Sequence, residues 1–135
     1  MALILGIDPG SKESGYAYIE ADGKCTTFGK VSNEDILYAG IEAAGVKHVY
    51  IERIVLYKKA GTDVRDTCEW VGRFVEHATA RLLPVTLITR ANVRGKLDAN
   101  NDKEVIAAMK ERGYTGLSKD AWQALAVAIV GQMKR

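Results

Sequence analysis

The chain is short of the residues that many kinds of site require. It has two cysteines, two histidines and two prolines in 135 residues. Cys25 and Cys68 fit no metal-ligand spacing, and a reducing compartment would leave both as free thiols. His48 and His77 are too few and too scattered for a zinc site. No apolar run approaches the roughly 18 residues of a membrane span, and no basic region precedes the first apolar stretch. The expected location is therefore the cytoplasm, with no membrane partner. Repeats, low-complexity tracts and linkers are also missing, so residues 1–135 read as a single domain.

The charge that is present is unevenly spread. Up to Glu52 there are four Lys/Arg against eight Asp/Glu, and from Arg53 onward fifteen against nine. A basic second half suits a polyanionic partner such as nucleic acid, although solvated helix faces account for part of the same excess.

The first half patterns as strands. Leu3 to Asp8 is apolar up to its final carboxylate, Gly15 to Glu20 alternates, and Asp22-Gly23 turns the chain into Lys24 to Lys30. Ser32 or Asn33 caps a helix running to about Gly45, and Val46 to Glu52 is a further strand ending in an acid. Val64, Cys68, Val71, Val75, Ala78 and Leu82 then form a helical seam within Asp63 to Leu83, closed by Pro84. Val85 to Ile88 is a short strand, Thr89 to Asp102 holds a short helix, and Lys103 to Arg112 is helical. The last helix spans about Lys119 to Met133. The order predicts an α/β fold with a mixed central sheet flanked by helices, its three N-terminal strands antiparallel.

Three acids stand out by position. Asp8 ends the first strand, Glu52 ends the fourth, and Asp120 lies in the first turn of the last helix. Each has an ordinary explanation alone: a turn, a local ion pair, or a favourable helix dipole. Together, at neighbouring strand ends, they would repel one another unless a cation held them. An all-oxygen ligand set selects a hard ion, Mg²⁺ with Mn²⁺ as a substitute. Two such ions about 4 Å apart clamp a scissile phosphate and supply the water that attacks it.

Ile4-Leu5-Gly6-Ile7-Asp8-Pro9-Gly10 followed by Gly15-Tyr16 resembles the opening of RuvC-type Holliday junction resolvases. Val49-Tyr50-Ile51-Glu52 resembles their second acidic strand, Asn101-Asp102-Lys103-Glu104-Val105 their Asp-Lys segment, and Asp120-Ala121-Trp122 onward their acidic C-terminal helix. Asp120-Ala121-Trp122, with Cys68-Glu69-Trp70-Val71-Gly72-Arg73-Phe74, is most similar to the short bacteriophage-encoded forms. The resemblance implies an RNase H-like fold, a homodimer, and paired Mg²⁺-dependent nicks in a four-way DNA junction, with no nucleotide cofactor. It implies Asp8, Glu52 and Asp120 as metal ligands, two ions per site, and Lys103 as a catalytic or phosphate-binding lysine. Many members carry a second aspartate three residues after the one matching Asp120; here that place is Gln123, a weaker ligand.

DNA contact is expected from two further segments. Tyr57, Lys58 and Lys59 directly follow the second acid, where an aromatic ring stacks on unpaired bases and two cations meet phosphates. Arg90, Arg94 and Lys96 form a basic cluster in an otherwise polar stretch. A symmetric cut needs two sites related by a dyad, which independently favours a homodimer. The rival readings are an RNase H-like nuclease of structured RNA, a junction-binding protein without catalysis, and a fragment of an actin-like ATPase. The last needs two such domains around its nucleotide.

Overall fold

A computed structural model describes residues 2–54 and 61–133. Strands β1 (Leu3–Asp8), β2 (Glu13–Glu20) and β3 (Cys25–Ser32) lead into a short helix α1 (Asn33–Asp35) that widens into a π-helical turn (Ile36–Ile41). β4 (Val46–Arg53), α2 (Thr62–Ala80), β5 (Val85–Thr89), α3 (Arg90–Lys96), α4 (Asp102–Glu111) and α5 (Lys119–Met133) follow. The described strands form one sheet in the order β3-β2-β1-β4-β5. The first three are antiparallel, as expected, and β4 and β5 run parallel to β1. Three parallel strands therefore end at one edge of the sheet, the edge at which α/β proteins collect their ligands.

The sheet is covered on both faces, and strand periodicity sorts side chains between them. Leu5, Ile7, Val49 and Ile51 pack with Ile36, Leu37 and Ile41 of the π turn and with Val71, Phe74 and Ala78 of α2. Ile4, Ala17, Ile19, Tyr50 and Ile88 pack on the opposite face with α5. Asp8 has the parity of Ile4, and Glu52 that of Tyr50. Both acids consequently leave the sheet on the α5 side.

α5 is apolar almost all round: every residue from Ala121 to Gly131 except Gln123 is buried, the signature of a helix inside a core. Its close approach depends on missing side chains. A Cβ on Gly6 would lie 2.8 Å from the Ala128 Cβ, and one on Gly15 would lie 2.6 Å from the Asp120 carbonyl oxygen. Gly15 thus seats the start of α5, and Asp120 with it, against the β1–β2 pair.

Two expectations need correction. The helix expected from Ser32 to about Gly45 does start at Ser32, whose hydroxyl accepts from the Asp35 amide at 3.2 Å. It ends at Ile41 in the wider π geometry, where the Tyr18 hydroxyl donates to the Gly40 carbonyl at 2.7 Å. The seam expected through Val64, Cys68, Val71, Val75, Ala78 and Leu82 is shifted. The buried stripe of α2 is Thr67, Val71, Phe74 and Ala78. Thr67 can be buried because its hydroxyl donates to the Asp63 carbonyl at 2.7 Å. Leu82 lies beyond the helix, 90% exposed, with φ at 61°.

Candidate active site

The register of the parallel strands builds the site. Ile7 pairs with Ile51 and Glu52 with Ile88, so the last residues of β1, β4 and β5 come out side by side. Glu52 is 3% exposed, a charge that could not remain there without a partner. Its partner is Arg90, the first residue of α3, placed by the Thr89 hydroxyl that caps the helix on the Asn92 amide at 3.1 Å. Arg90 Nε donates to Glu52 Oε1 at 2.7 Å and Nη2 to Oε2 at 3.3 Å, a forked pair. The same Nη2 lies 3.9 Å from Asp8 Oδ1.

A second layer supports the first. Arg90 Nη1 reaches Asp102 Oδ2 at 3.5 Å, and Arg94 Nη2 reaches Asp102 Oδ1 at 2.9 Å. Asp102 opens α4, whose start is fixed by a reciprocal cap: Asn101 accepts from the Glu104 amide at 2.9 Å while Glu104 accepts from Asn101 Nδ2 at 3.2 Å. Behind Asp8, the Pro9–Lys12 turn is held by two buried polar residues. Ser14 donates to Asn33 Oδ1 at 2.5 Å, Asn33 Nδ2 donates to the Gly10 carbonyl at 3.0 Å, and the Gly10 amide donates to Ser14 at 3.1 Å.

Asp8 is electrostatically unsatisfied. Burial first, and then the negative charge of Glu52 and a shared hydrogen bond with it, push its carboxyl up to about 8. Arg90 opposes the rise, and Asp120 adds to it. Asp120 is therefore within electrostatic reach, but its own carboxylate turns to Lys30 Nζ at 3.4 Å. Among the described residues no group of three acidic, histidine or cysteine side chains is arranged to hold a metal ion. Asp8 and Glu52 supply a hard-oxygen pair that fits a divalent cation, and Asp120 stands at its margin.

Of the other expected residues, Lys103 is exposed beside Asp102, and Gln123 is half-buried one turn beyond Asp120. Lys96 is exposed at the end of α3, whereas Arg90 and Arg94 are engaged with acids. Arg53, Ile54, Thr89, Arg90, Ala91, Arg94 and Glu52 line an open cleft of about 450 Å³ at this edge. Tyr57, Lys58 and Lys59 lie outside the described residues. Sequence reasoning missed the Arg90–Glu52 fork, Asp102, Lys30 and the Ser14–Asn33 brace. The available signal for the fork was register: Arg90 follows a strand parallel to that of Glu52 and ends at the same edge.

No protein-family model and no curated relative matches the chain. Solved structures do. Thermus thermophilus RuvC in complex with a Holliday junction substrate superposes with a TM-score of 0.77 at 17% identity, covering 96% of this chain and 92% of that one. A second Thermus thermophilus RuvC structure gives 0.74 at 16% identity, covering 95% and 92%. The chain has the RuvC fold. That fold is RNase H-like, as expected from the sequence, and the match extends over nearly the whole length of both chains.

Proposed function

We propose that the chain is a divalent-metal-dependent endonuclease that resolves four-way DNA junctions by paired phosphodiester cleavage. The observation carrying this reading is the pair of Asp8 and Glu52 at the carboxyl edge of a RuvC-type sheet, the first half-buried and the second buried, facing one another and, among the described residues, short of positive charge. A structural role needs no second acid beside a buried one, and a hard cation is what such a pair lacks.

Asp8, Glu52 and Asp120 would hold Mg²⁺, or Mn²⁺ in its place, with Gln123 as a weak addition. Bound there, the ion would lower the pKa of a water so that it could attack as hydroxide at neutral pH, and would add charge beside the departing oxygen. The chain's own groups do the rest. β1 and β4 carry the two acids, and α5, seated on Gly6 and Gly15, holds Asp120 at the margin of the pair, from where its carboxylate would have to leave Lys30 to join them. Lys103, Arg94 and Lys96 meet phosphates, as do Lys58 and Lys59, and Tyr57 stacks on bases opened at the junction. Two copies related by a dyad cut the two strands, so the active species is a homodimer. We take it to be most like the short phage-encoded forms, acting on DNA in the host cytoplasm.

A second reading has one observation behind it. With no three-acid cluster among the described residues and Gln123 beside Asp120, a protein that binds junctions without cutting them would look similar. One experiment separates them. A synthetic four-way junction is incubated with Mg²⁺ and either wild type or Asp8→Asn, with linear duplex and a structured RNA as controls. Symmetric nicks in the junction, from wild type alone, are expected. Tight junction binding with no metal-stimulated nicking would favour the second reading, and preferential cutting of the RNA would overturn both.

A further inference from the structure

The Arg90 fork creates a conflict at the site, and the conflict points to a role. Both oxygens of Glu52 are occupied by one guanidinium, at 2.7 and 3.3 Å. The Glu52 side chain is only 4% exposed, so little of it is open to an approaching ion. A Mg²⁺ ligand oxygen lies about 2.1 Å from its ion, and a guanidinium forked across both Glu52 oxygens takes up part of their lone-pair capacity while its charge opposes a divalent cation beside it. Arg90 also reaches Asp8 at 3.9 Å. It therefore stands where a cation shared by the two acids would stand.

Burial does not lock Arg90 in place. Its side chain is 43% exposed, and it is the first residue of α3, where no preceding helical turn confines it. The adjoining cleft is lined by Arg53 and Arg94 as well as Arg90, three guanidinium groups against the single acid Glu52. Arg94 is anchored to Asp102, so Asp102 does not depend on Arg90 for its neutralisation.

Building on the nuclease reading, we propose that Arg90 is an internal counter-cation: in the DNA-free protein it competes with divalent metal for Asp8 and Glu52, and it moves to the phosphate backbone when metal enters. Arg90 is then a positioning residue. It keeps the buried Glu52 and half-buried Asp8 carboxylates together in the resting state and makes metal occupancy and DNA contact mutually supportive. A phosphate in the cleft gives the displaced guanidinium a new anion, and the metal gives Glu52 a new cation. Free protein would hold metal weakly, and DNA would tighten it.

The test measures Mn²⁺ binding to DNA-free protein by loss of the free-ion electron paramagnetic resonance signal. Wild type, Arg90→Gln and Arg90→Lys are compared, each checked for folding by circular dichroism. Arg90→Gln should bind Mn²⁺ about tenfold more tightly than wild type, because the competing cation has gone. Arg90→Lys, which keeps the charge but not the fork, should fall between them and guards against loss of folding in the neutral variant. The rise in melting temperature on adding Mn²⁺ should follow the same order. Equal or weaker Mn²⁺ affinity in Arg90→Gln overturns the proposal, and if wild type still nicks junctions the nuclease reading survives it. Failure of all three proteins to bind Mn²⁺, together with no junction cleavage, overturns both.

Discussion

Two carboxylates of this chain sit in arginine-bearing networks and are pushed in opposite directions. Glu42, at the end of the π turn, faces His77 Nε2 and Arg81 Nη2 of the α2 segment, each at 2.7 Å. The hydrogen bond with His77 leads in holding its carboxyl below the ordinary 4.5. Asp8 has only a share in one guanidinium, at 3.9 Å, because Glu52 holds that group first. Its carboxyl rises to about 8. The difference lies in the local balance of charge. Glu42 is one acid with two basic partners, an arrangement complete in itself. Among the described residues, Asp8, Glu52, Asp102 and Asp120 have Arg90, Arg94 and Lys30 between them, an arrangement that is short of positive charge. The first network fastens a turn to a helix, and the second has a use for an added cation.

The sharpest break of this comparison neutralises each acid in turn. Asp8→Asn should lower junction nicking by about 10³-fold, the scale expected when a group acting directly on the reacting centre is lost. The same change should raise stability in EDTA at neutral pH by roughly 1–3 kcal/mol, since it spares folding the cost of protonating a carboxyl whose charged form burial and Glu52 both disfavour. Glu42→Gln should leave nicking within about twofold of wild type, as expected for a distant site. Urea unfolding and a junction-cleavage time course check all three. If Asp8→Asn loses stability as well as activity, the excess of acid is not what defines the site.

One kind of substitution at two places extends the contrast to the helices that carry these networks. Gly15→Ala puts a methyl group 2.6 Å from the Asp120 carbonyl and 3.3 Å from its Cβ, so the start of α5 has to move. The expected cost is about 1–3 kcal/mol, with a loss of nicking larger than the unfolded fraction explains. Gly72→Ala, in the middle of α2, meets nothing within 4 Å and should gain roughly 0.5–1 kcal/mol from helix propensity with nicking unchanged. Equal effects at the two positions would mean that α5 is not what aims Asp120.

Strand periodicity explains why the acid pair was legible in the sequence. Asp8 and Glu52 end apolar strands with the same parity, and once those strands pair in parallel the acids must meet on one face. The α2 stripe was harder to read, because a four-three repeat fits two adjacent registers of one helix. The register with Thr67 and Phe74 wins by burying a ring larger than Val75 while satisfying the threonine hydroxyl internally. Arg90 read as a DNA-contacting cation because it sits with Arg94 and Lys96 in a basic cluster of a polar segment. Its fork to Glu52 depends on tertiary register across 38 residues, which no local pattern carries. The π turn Ile36–Ile41 is likewise tied to a distant residue, the Tyr18 hydroxyl on the Gly40 carbonyl, a contact no local pattern carries.

The smallest expected effect belongs to Glu42, and pH makes it measurable. A carboxyl held below its ordinary value adds stability that is fully present above 4.5 and is lost as pH falls through the depressed value. Wild type should therefore be modestly more stable than Glu42→Gln at neutral pH, and the two should converge in acid below 4.5. Added salt should shrink the neutral-pH difference, because Arg81 and Glu42 are partly open to solvent at 46% and 26% exposure. Melting curves of both proteins across pH, at low and high salt, provide the check. A difference that persists in acid would mean that Glu42 acts through packing on Tyr38 and His77, whose rings meet edge to face at 5.6 Å, and not through its charge.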